Sequence, residues 1–253
     1  MTELLTAAKV DVENARSQAE GWTAQQVIEW TANSFGSQVA LSTSFQADGM
    51  VILDMAQRMG VDLRVATIDT GRMPPETYNL IDEIRERYDI PIETYLPDHN
   101  EVSDFLTQFG ANAFYNSVSL RLLCCQIRKT HPMEKLLEGL DAWIAGVRRS
   151  HSATRRDVGK IETDDAHGGI VKVNPLADWT DEEVWAYIKA NDVPYNKLYD
   201  MGYTSIGCAP CTRPISSGED ARAGRWWWED ESVPKECGIH MSQGWAEEVK
   251  ATS

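Results

Sequence analysis

Apolar positions switch repeatedly between a two-residue and a helical period along most of the chain. SQVALSTS (37–44) is a short, β-leaning apolar run; QADGMVILDMAQRMG (46–60) follows with Met50, Ile52, Leu53 and Met55 at helical spacing and a terminal Gly. LRVATIDTG (63–71) repeats the strand pattern and PPETYNLIDEIRERY (74–88) the helix, with Pro near its start, where the missing N–H does no harm. IPIETYLP (90–97) predicts a third strand, DAWIAGVRRS (141–150) a fourth after a cysteine-bearing helix, and GIVKVNPLADW (169–179) a fifth. TDEEVWAYIKAN (180–191) then opens as a helix with a Thr cap and an acidic first turn. Such alternation predicts an α/β fold, a mainly parallel sheet with flanking helices. Past about residue 200 the pattern decays into Gly-, Pro- and Trp-rich sequence suited to building a site. With no repeat or low-complexity linker, the expectation is one domain over 1–253. It has an N-terminal helical segment over about 1–30 and a mobile C-terminal tail from about 226.

Ligands of open α/β sheets bind beyond the carboxyl ends of the strands. Three predicted strand ends carry distinctive residues: STSFQADG (42–49), DTGR (69–72) and GVRRSHSATRR (146–156). The first sets hydroxyls and backbone N–H groups at a helix start, suited either to an anion or simply to capping. It is not a Walker A loop, because no Gly-Lys-Ser/Thr follows.

Charge narrows the function. A net charge of −15 disfavours a general nucleic-acid binder but not a small anion in a local basic pocket. The amphipathic, acidic N-terminus lacks the apolar stretch of a signal peptide, and no apolar run reaches membrane-span length, so the expected location is cytoplasmic. In that reducing setting five cysteines do not read as a disulfide framework.

The cysteines fall as Cys124–Cys125, Cys208 and Cys211 in GCAPCTRP, and Cys237 in KECGIH, a four-plus-one pattern. Adjacent cysteines rarely bond to each other, because the ring strains the intervening peptide. The pair is therefore either a chance pair of small core residues or half of a metal centre. CxxC alone fits zinc, a redox pair or chance. Zinc favours spaced ligands that converge on one point, whereas adjacent helical residues diverge by about 100°. A [4Fe–4S] cube, with separate iron corners, suits that divergence better than zinc does. If 124–137 is helical, Lys129 lies on the face of Cys125 and Arg128 on that of Cys124, beside an anionic centre.

Arg222 and Arg225, three apart, suit a phosphate or sulfate fork, or balance Glu219, Asp220, Glu229 and Asp230. Cys237, between Lys235 and His240 in a polar segment, reads as a reactive thiol rather than an inert buried one.

Together CCQIRKTHP, GCAPCTRP, GRWWWE and ECGIH, with STSFQ upstream, resemble the assimilatory adenylyl-sulfate (APS) reductases of the wider phosphoadenylyl-sulfate (PAPS) reductase family. The resemblance spans roughly residues 30–245. It implies an adenine nucleotide α-hydrolase-like fold and reduction of APS to sulfite and AMP, in sulfate assimilation and cysteine biosynthesis. Thioredoxin or glutaredoxin would be a separate reductant. It also implies a [4Fe–4S] cluster on Cys124, Cys125, Cys208 and Cys211, and Cys237 as the nucleophile that carries an S-sulfonate. Lys129, Arg222, Arg225 and His240 would hold the phosphosulfate; Ser42, Ser44 and Gln46 fall in a modified PP-loop, and Gly146 and Arg148 near the adenosine pocket. Asp69 and the basic stretch 148–156 are candidates for reading ribose and adenine.

The four paired cysteines favour APS, with PAPS or dual use as the alternative. A PP-loop ATP pyrophosphatase is disfavoured, since Ser42-Thr43-Ser44-Phe45-Gln46-Ala47 lacks the Ser-Gly-Gly-x-Asp-Ser pattern. A non-catalytic iron–sulfur sensor would have no need of Cys237. Neither nucleic-acid nor membrane partners are expected, and homo-oligomerisation is left open.

Overall fold

In a computed structural model that describes residues 12–151 and 155–230, the strands are Val39–Ser42 (β1), Arg64–Ile68 (β2), Glu93–Tyr95 (β3), Ala142–Ile144 (β4), Ile161–Asp164 (β5) and Ile170–Val173 (β6). They form one sheet in the order β3-β2-β1-β4-β6-β5, parallel throughout except for the β5–β6 pair. The helices are Val12–Ala19 (α1), Ala24–Phe35 (α2), Ala47–Arg58 (α3), Pro75–Tyr88 (α4), His99–Phe109 (α5), Val118–Cys125 (α6), His131–Leu137 (α7) and Asp181–Asn191 (α8).

Side-chain alternation explains why both faces are covered. Val39, Leu41, Val65, Ala142 and Ile144 point into a core shared with α2, α3 and α8. Ala40, Ala66 and Trp143 point the other way, against Met133, Leu136 and Leu137 of α7. Strands apolar on both faces are the signature of a buried parallel sheet. Helix starts are fixed locally: Thr23 with Gln26, and Thr180 with Glu183, form reciprocal capping boxes. The Thr cap and acidic turn expected at 180 are thus in place.

The structure departs from three expectations. First, β5 adds an antiparallel edge strand that the sequence pattern did not predict; it is joined to β6 through Gly168 and Gly169, both at positive φ. Second, 124–137 is not one α-helix: Gln126–Thr130 forms a wide π-turn between α6 and α7, and the His131 N–H reaches the Gln126 carbonyl. Pro132 follows at once; it has no N–H to offer, and its ring would crowd the carbonyl of Arg128 in a regular helix. Widening the preceding turn relieves that conflict. Third, residues 226–230, counted with the tail from sequence, belong to the packed body, where Trp226 is 1 % exposed. Cys237 and His240 lie outside the described residues.

From β1 the chain crosses to β2 on one side, while β4 lies on the other. This is the topological switch point, where a crevice opens beyond the strand ends. The Ser42–Gln46 loop and the Ala145–Arg148 segment flank it.

Candidate active site

A cleft of about 520 Å³ occupies that crevice, and its lining includes Ser42, Ser44, Gln46, Lys129, Gly146, Arg148, Arg222 and Arg225. Eight of the nine residues that the resemblance implies for substrate binding thus line one hollow; the ninth, His240, lies outside the described residues. The loop entering α3 is tightly folded: Phe45 sits at φ 56° with its side chain buried, and its N–H donates to Thr43 Oγ1 at 2.9 Å. A Cβ on Gly49 would lie 2.1 Å from Thr43 Oγ1, so only glycine lets the loop close on the helix. Gln46 spans two walls. Its Nε2 donates to Ser44 Oγ at 3.0 Å, and its Oε1 accepts the Ile206 N–H at 2.9 Å. The Ala47 N–H donates to the Tyr199 hydroxyl at 3.1 Å. Ser42 and Ser44 therefore stand before a helix N-terminus, a setting that favours negative charge.

Gly146 lets β4 approach α3: a Cβ there would lie 2.9 Å from Asp48 Cβ and 3.2 Å from the Gly49 nitrogen. Arg148 lines the cleft, but its guanidinium serves the protein. It donates to Asp48 at 2.5 Å, to Asp181, to Ser150 Oγ at 2.8 Å and to the Trp179 carbonyl at 3.2 Å. Burial opposes ionisation of Asp48, yet His151 and Arg148 outweigh it and hold the carboxyl below the usual range. Asp69 does not line the cleft; its carboxylate accepts from the Gly71 N–H and the Tyr78 hydroxyl and so shapes the DTG turn. In the basic stretch, Ser150, His151 and Arg155 reach the cleft, whereas Arg149 pairs with Glu20.

Arg225 is held by its surroundings. Its Nη1 donates to Ser205 Oγ at 3.2 Å, and its guanidinium lies 4.7 Å from the centre of the Trp226 ring. Nearby acids are engaged elsewhere: Glu219 pairs with Arg213, and Glu229 with Arg121.

A second, small hollow of about 20 Å³ is lined by Cys124, Cys125, Cys208 and Cys211, together with Arg72, Arg121, Arg128 and Lys129. Lys129 and Cys208 line both hollows. Cys208 Sγ lies 3.2 Å from Thr70 Oγ1, and Arg128 donates to the Thr70 carbonyl at 2.7 Å. Burial, reinforced by the nearby Cys208 thiol, pushes Cys211 up to about 12. Burial likewise raises Cys124, against the pull of Arg128. None of the four is in a disulfide. Among the described residues, no group of three or more His, Cys, Asp or Glu could hold one metal ion. The four cysteines line this one hollow.

A family model for the phosphoadenosine phosphosulfate reductase domain matches residues 38–214. The chain belongs to that reductase family. Relatives named adenosine 5′-phosphosulfate reductase agree: that of Allochromatium vinosum is 46 % identical over 205 residues, 81 % of this chain and 79 % of its own length. The Burkholderia cepacia protein of the same name is 47 % identical over 205 residues, 81 % of each chain. Among solved structures, the phosphoadenylyl-sulfate reductase from Candida auris, in a phosphate complex, aligns with TM-score 0.70 and 28 % identity over 83 % of this chain and 99 % of that one. Candida glabrata FMN adenylyltransferase, in complex with FAD and inorganic pyrophosphate, shares the fold alone, with TM-score 0.54 and 16 % identity over 97 % of this chain and 86 % of that one. The expected adenine nucleotide α-hydrolase-like architecture is therefore present in this PAPS reductase family member.

The sequence marked the stretches that hold Asp48, Thr70 and His151 but not their contacts: Asp48 pairs with His151, and Thr70 touches Cys208, while Tyr199, which accepts the Ala47 N–H, carried no sequence signal. Arg121 is fully buried and bidentate to Glu229, at 2.9 Å through both nitrogens. Its three-residue offset from Cys124 is the one cue that pointed toward the cysteine hollow.

Proposed function

We propose that the protein reduces adenosine 5′-phosphosulfate to sulfite and AMP with electrons from a thioredoxin or glutaredoxin, as a single-domain cytoplasmic enzyme of sulfate assimilation. The observation that carries this reading is the shared wall: Lys129 and Cys208 line both the anion-suited cleft and the four-cysteine hollow. The names of the relatives supply the substrate.

In this reading the N-terminus of α3, Ser42 and Ser44 receive the phosphate side of the phosphosulfate. Lys129, Arg222, Arg225 and His240 gather around the sulfate. The Cys237 thiolate attacks the sulfate sulfur, an S–S bond forms, and the S–O bond to phosphate breaks, releasing AMP and leaving Cys237 S-sulfonated. Attack by one anion on another is opposed by repulsion, and preplaced cations offset that charge as it builds. A reductant thiolate then attacks the Cys237 sulfur and sulfite departs. The reductant's second thiol resolves the mixed disulfide, so two electrons pass from dithiol to sulfur. Cys237 must meet substrate first and a protein thiol second, which calls for a tail that closes and opens.

The residues around the small hollow fit a [4Fe–4S] centre better than a single ion. Four cysteines line the hollow, enough for one thiolate on each iron corner, cationic side chains border it, and the buried Arg121 Nη1 has no hydrogen-bond partner among the described residues. Cys124, Cys125, Cys208 and Cys211 would hold the centre, which when bound supplies fixed charge beside the sulfate and a tie between distant segments. Reading PAPS as well remains the second option. The test is anaerobic turnover of APS against PAPS with reduced thioredoxin. Sulfite formation from APS in preference to PAPS is expected; preference for PAPS overturns the substrate, and no sulfite from either, with iron bound, favours the sensor.

A further inference from the structure

Arg121 sits three residues before Cys124 on α6, and its side chain is 0 % exposed. Two of its nitrogens, Nε and Nη2, donate to the two carboxylate oxygens of Glu229 at 2.9 Å each. Its guanidinium also lies 4.7 Å from the centre of the Trp226 ring, and that of Arg225 lies at the same distance. The third nitrogen, Nη1, is buried and without a hydrogen-bond partner among the described residues, although Arg121 lines the cysteine hollow.

A buried guanidinium N–H left without an acceptor is costly, so this one calls for a partner. Glu229 already neutralises the charge, so what Arg121 offers the hollow is chiefly a directed donor. Sulfur ligands carrying excess electron density are acceptors of the required kind. We infer that Arg121 is a positioning residue for the cysteine centre: its Nη1 donates to a sulfur of that centre while its other nitrogens clamp Glu229. This inference rests on the proposed reading of the hollow as an iron–sulfur site. It also adds a connection that the reading lacks. Glu229 lies eight residues before Cys237 along the chain, so Arg121 ties the centre to the root of the segment that carries the nucleophile.

The test compares the anaerobically reconstituted full chain with two variants. Arg121→Leu/Glu229→Leu removes the donor and its counter-charge together, which avoids stranding a buried charge and leaves the fold intact by circular dichroism. Glu229→Gln breaks the ion pair but keeps every Arg121 N–H. Iron release to a chelator and the Fe–S stretching bands in resonance Raman spectra are read for each. A hydrogen bond draws electron density from sulfur and so lowers the Fe–S stretching frequency, while the same donor offsets the negative charge gathered on the four thiolates and helps retain the centre. The expected result is iron release about tenfold faster in the double variant, with Fe–S bands moved to higher frequency; Glu229→Gln, which leaves the buried Arg121 charge without its partner, melts at a lower temperature but keeps the wild-type bands. Equal iron loss in both variants with unmoved bands would mean a purely structural ion pair and overturn the inference. Wild-type release and bands in the double variant would overturn it too. A wild-type chain that binds no iron would overturn the iron–sulfur reading, and this inference with it.

Discussion

Lys129 and Cys208 each border both the switch-point cleft and the cysteine hollow. They come from segments about 80 residues apart in sequence, brought together by the π-turn at Gln126–Thr130 and the loop before the short turn Ala209–Cys211. This shared boundary makes the basic pair after the cysteines intelligible. Lys129 lines the cleft as well as the hollow, while Arg128 donates to the Thr70 carbonyl.

Replacing Lys129 by Ala therefore separates the two hollows chemically. Turnover of APS should fall about 100-fold, the usual size of losing one preplaced electrostatic contact. Iron content should stay at the wild-type level. Steady-state kinetics with parallel iron analysis checks this, and a drop in iron matching the drop in rate would assign Lys129 to the centre instead.

Arg225 offers a test that leaves its own side chain in place. A Cβ on Gly207 would lie 2.3 Å from Arg225 Nη2, so Gly207→Ala must displace the guanidinium. Because the displaced atoms are the end of a flexible side chain, the fold should survive with a melting temperature near wild type. KM for APS should rise about tenfold, the equivalent of about 1.4 kcal/mol of lost binding. An unchanged KM would remove Arg225 from the substrate site.

Asp48 and Arg148 predict an acid-sensitive joint between α3 and the Arg148 loop. The Asp48 carboxyl is held below its ordinary value, so the stability it contributes is fully present above about pH 3.9, the unfolded value, and is lost as pH falls through the lower folded one. Asp48→Asn should cost about 3 kcal/mol at pH 7 by leaving buried Arg148 short of a partner. It should also flatten the acid limb of stability. Urea unfolding at several pH values between neutral and pH 3 measures both. A variant whose stability declines as steeply in acid as the wild type's would contradict the assignment.

What could be read from the chain follows the locality of the forces. The first four strands and β6 announce themselves by alternation, and α8 by its cap, because these depend on neighbours within a few residues. β5 did not: Ile161-Glu162-Thr163-Asp164 has one apolar residue buried in four, and its strand character comes from pairing with β6. The consecutive Gly168 and Gly169 were the available hairpin cue. Ser42, Ser44, Gln46, Gly146 and Arg148 were legible at strand ends that converge on a switch point, whereas Lys129, Arg222 and Arg225 were brought in by the family resemblance. What Arg148 does there was not legible, since its partners Asp48 and Asp181 lie 100 and 33 residues away. The π-turn likewise reflects a conflict with Pro132 that helical periodicity conceals.

The most direct measurement is a single turnover of APS without reductant, followed by mass analysis of intact protein and peptides. The account predicts AMP release matched by one SO₃ added per chain, on the Cys237 peptide, and no adduct in Cys237→Ser. Sulfite released without any protein adduct, or an adduct on another cysteine, would contradict it.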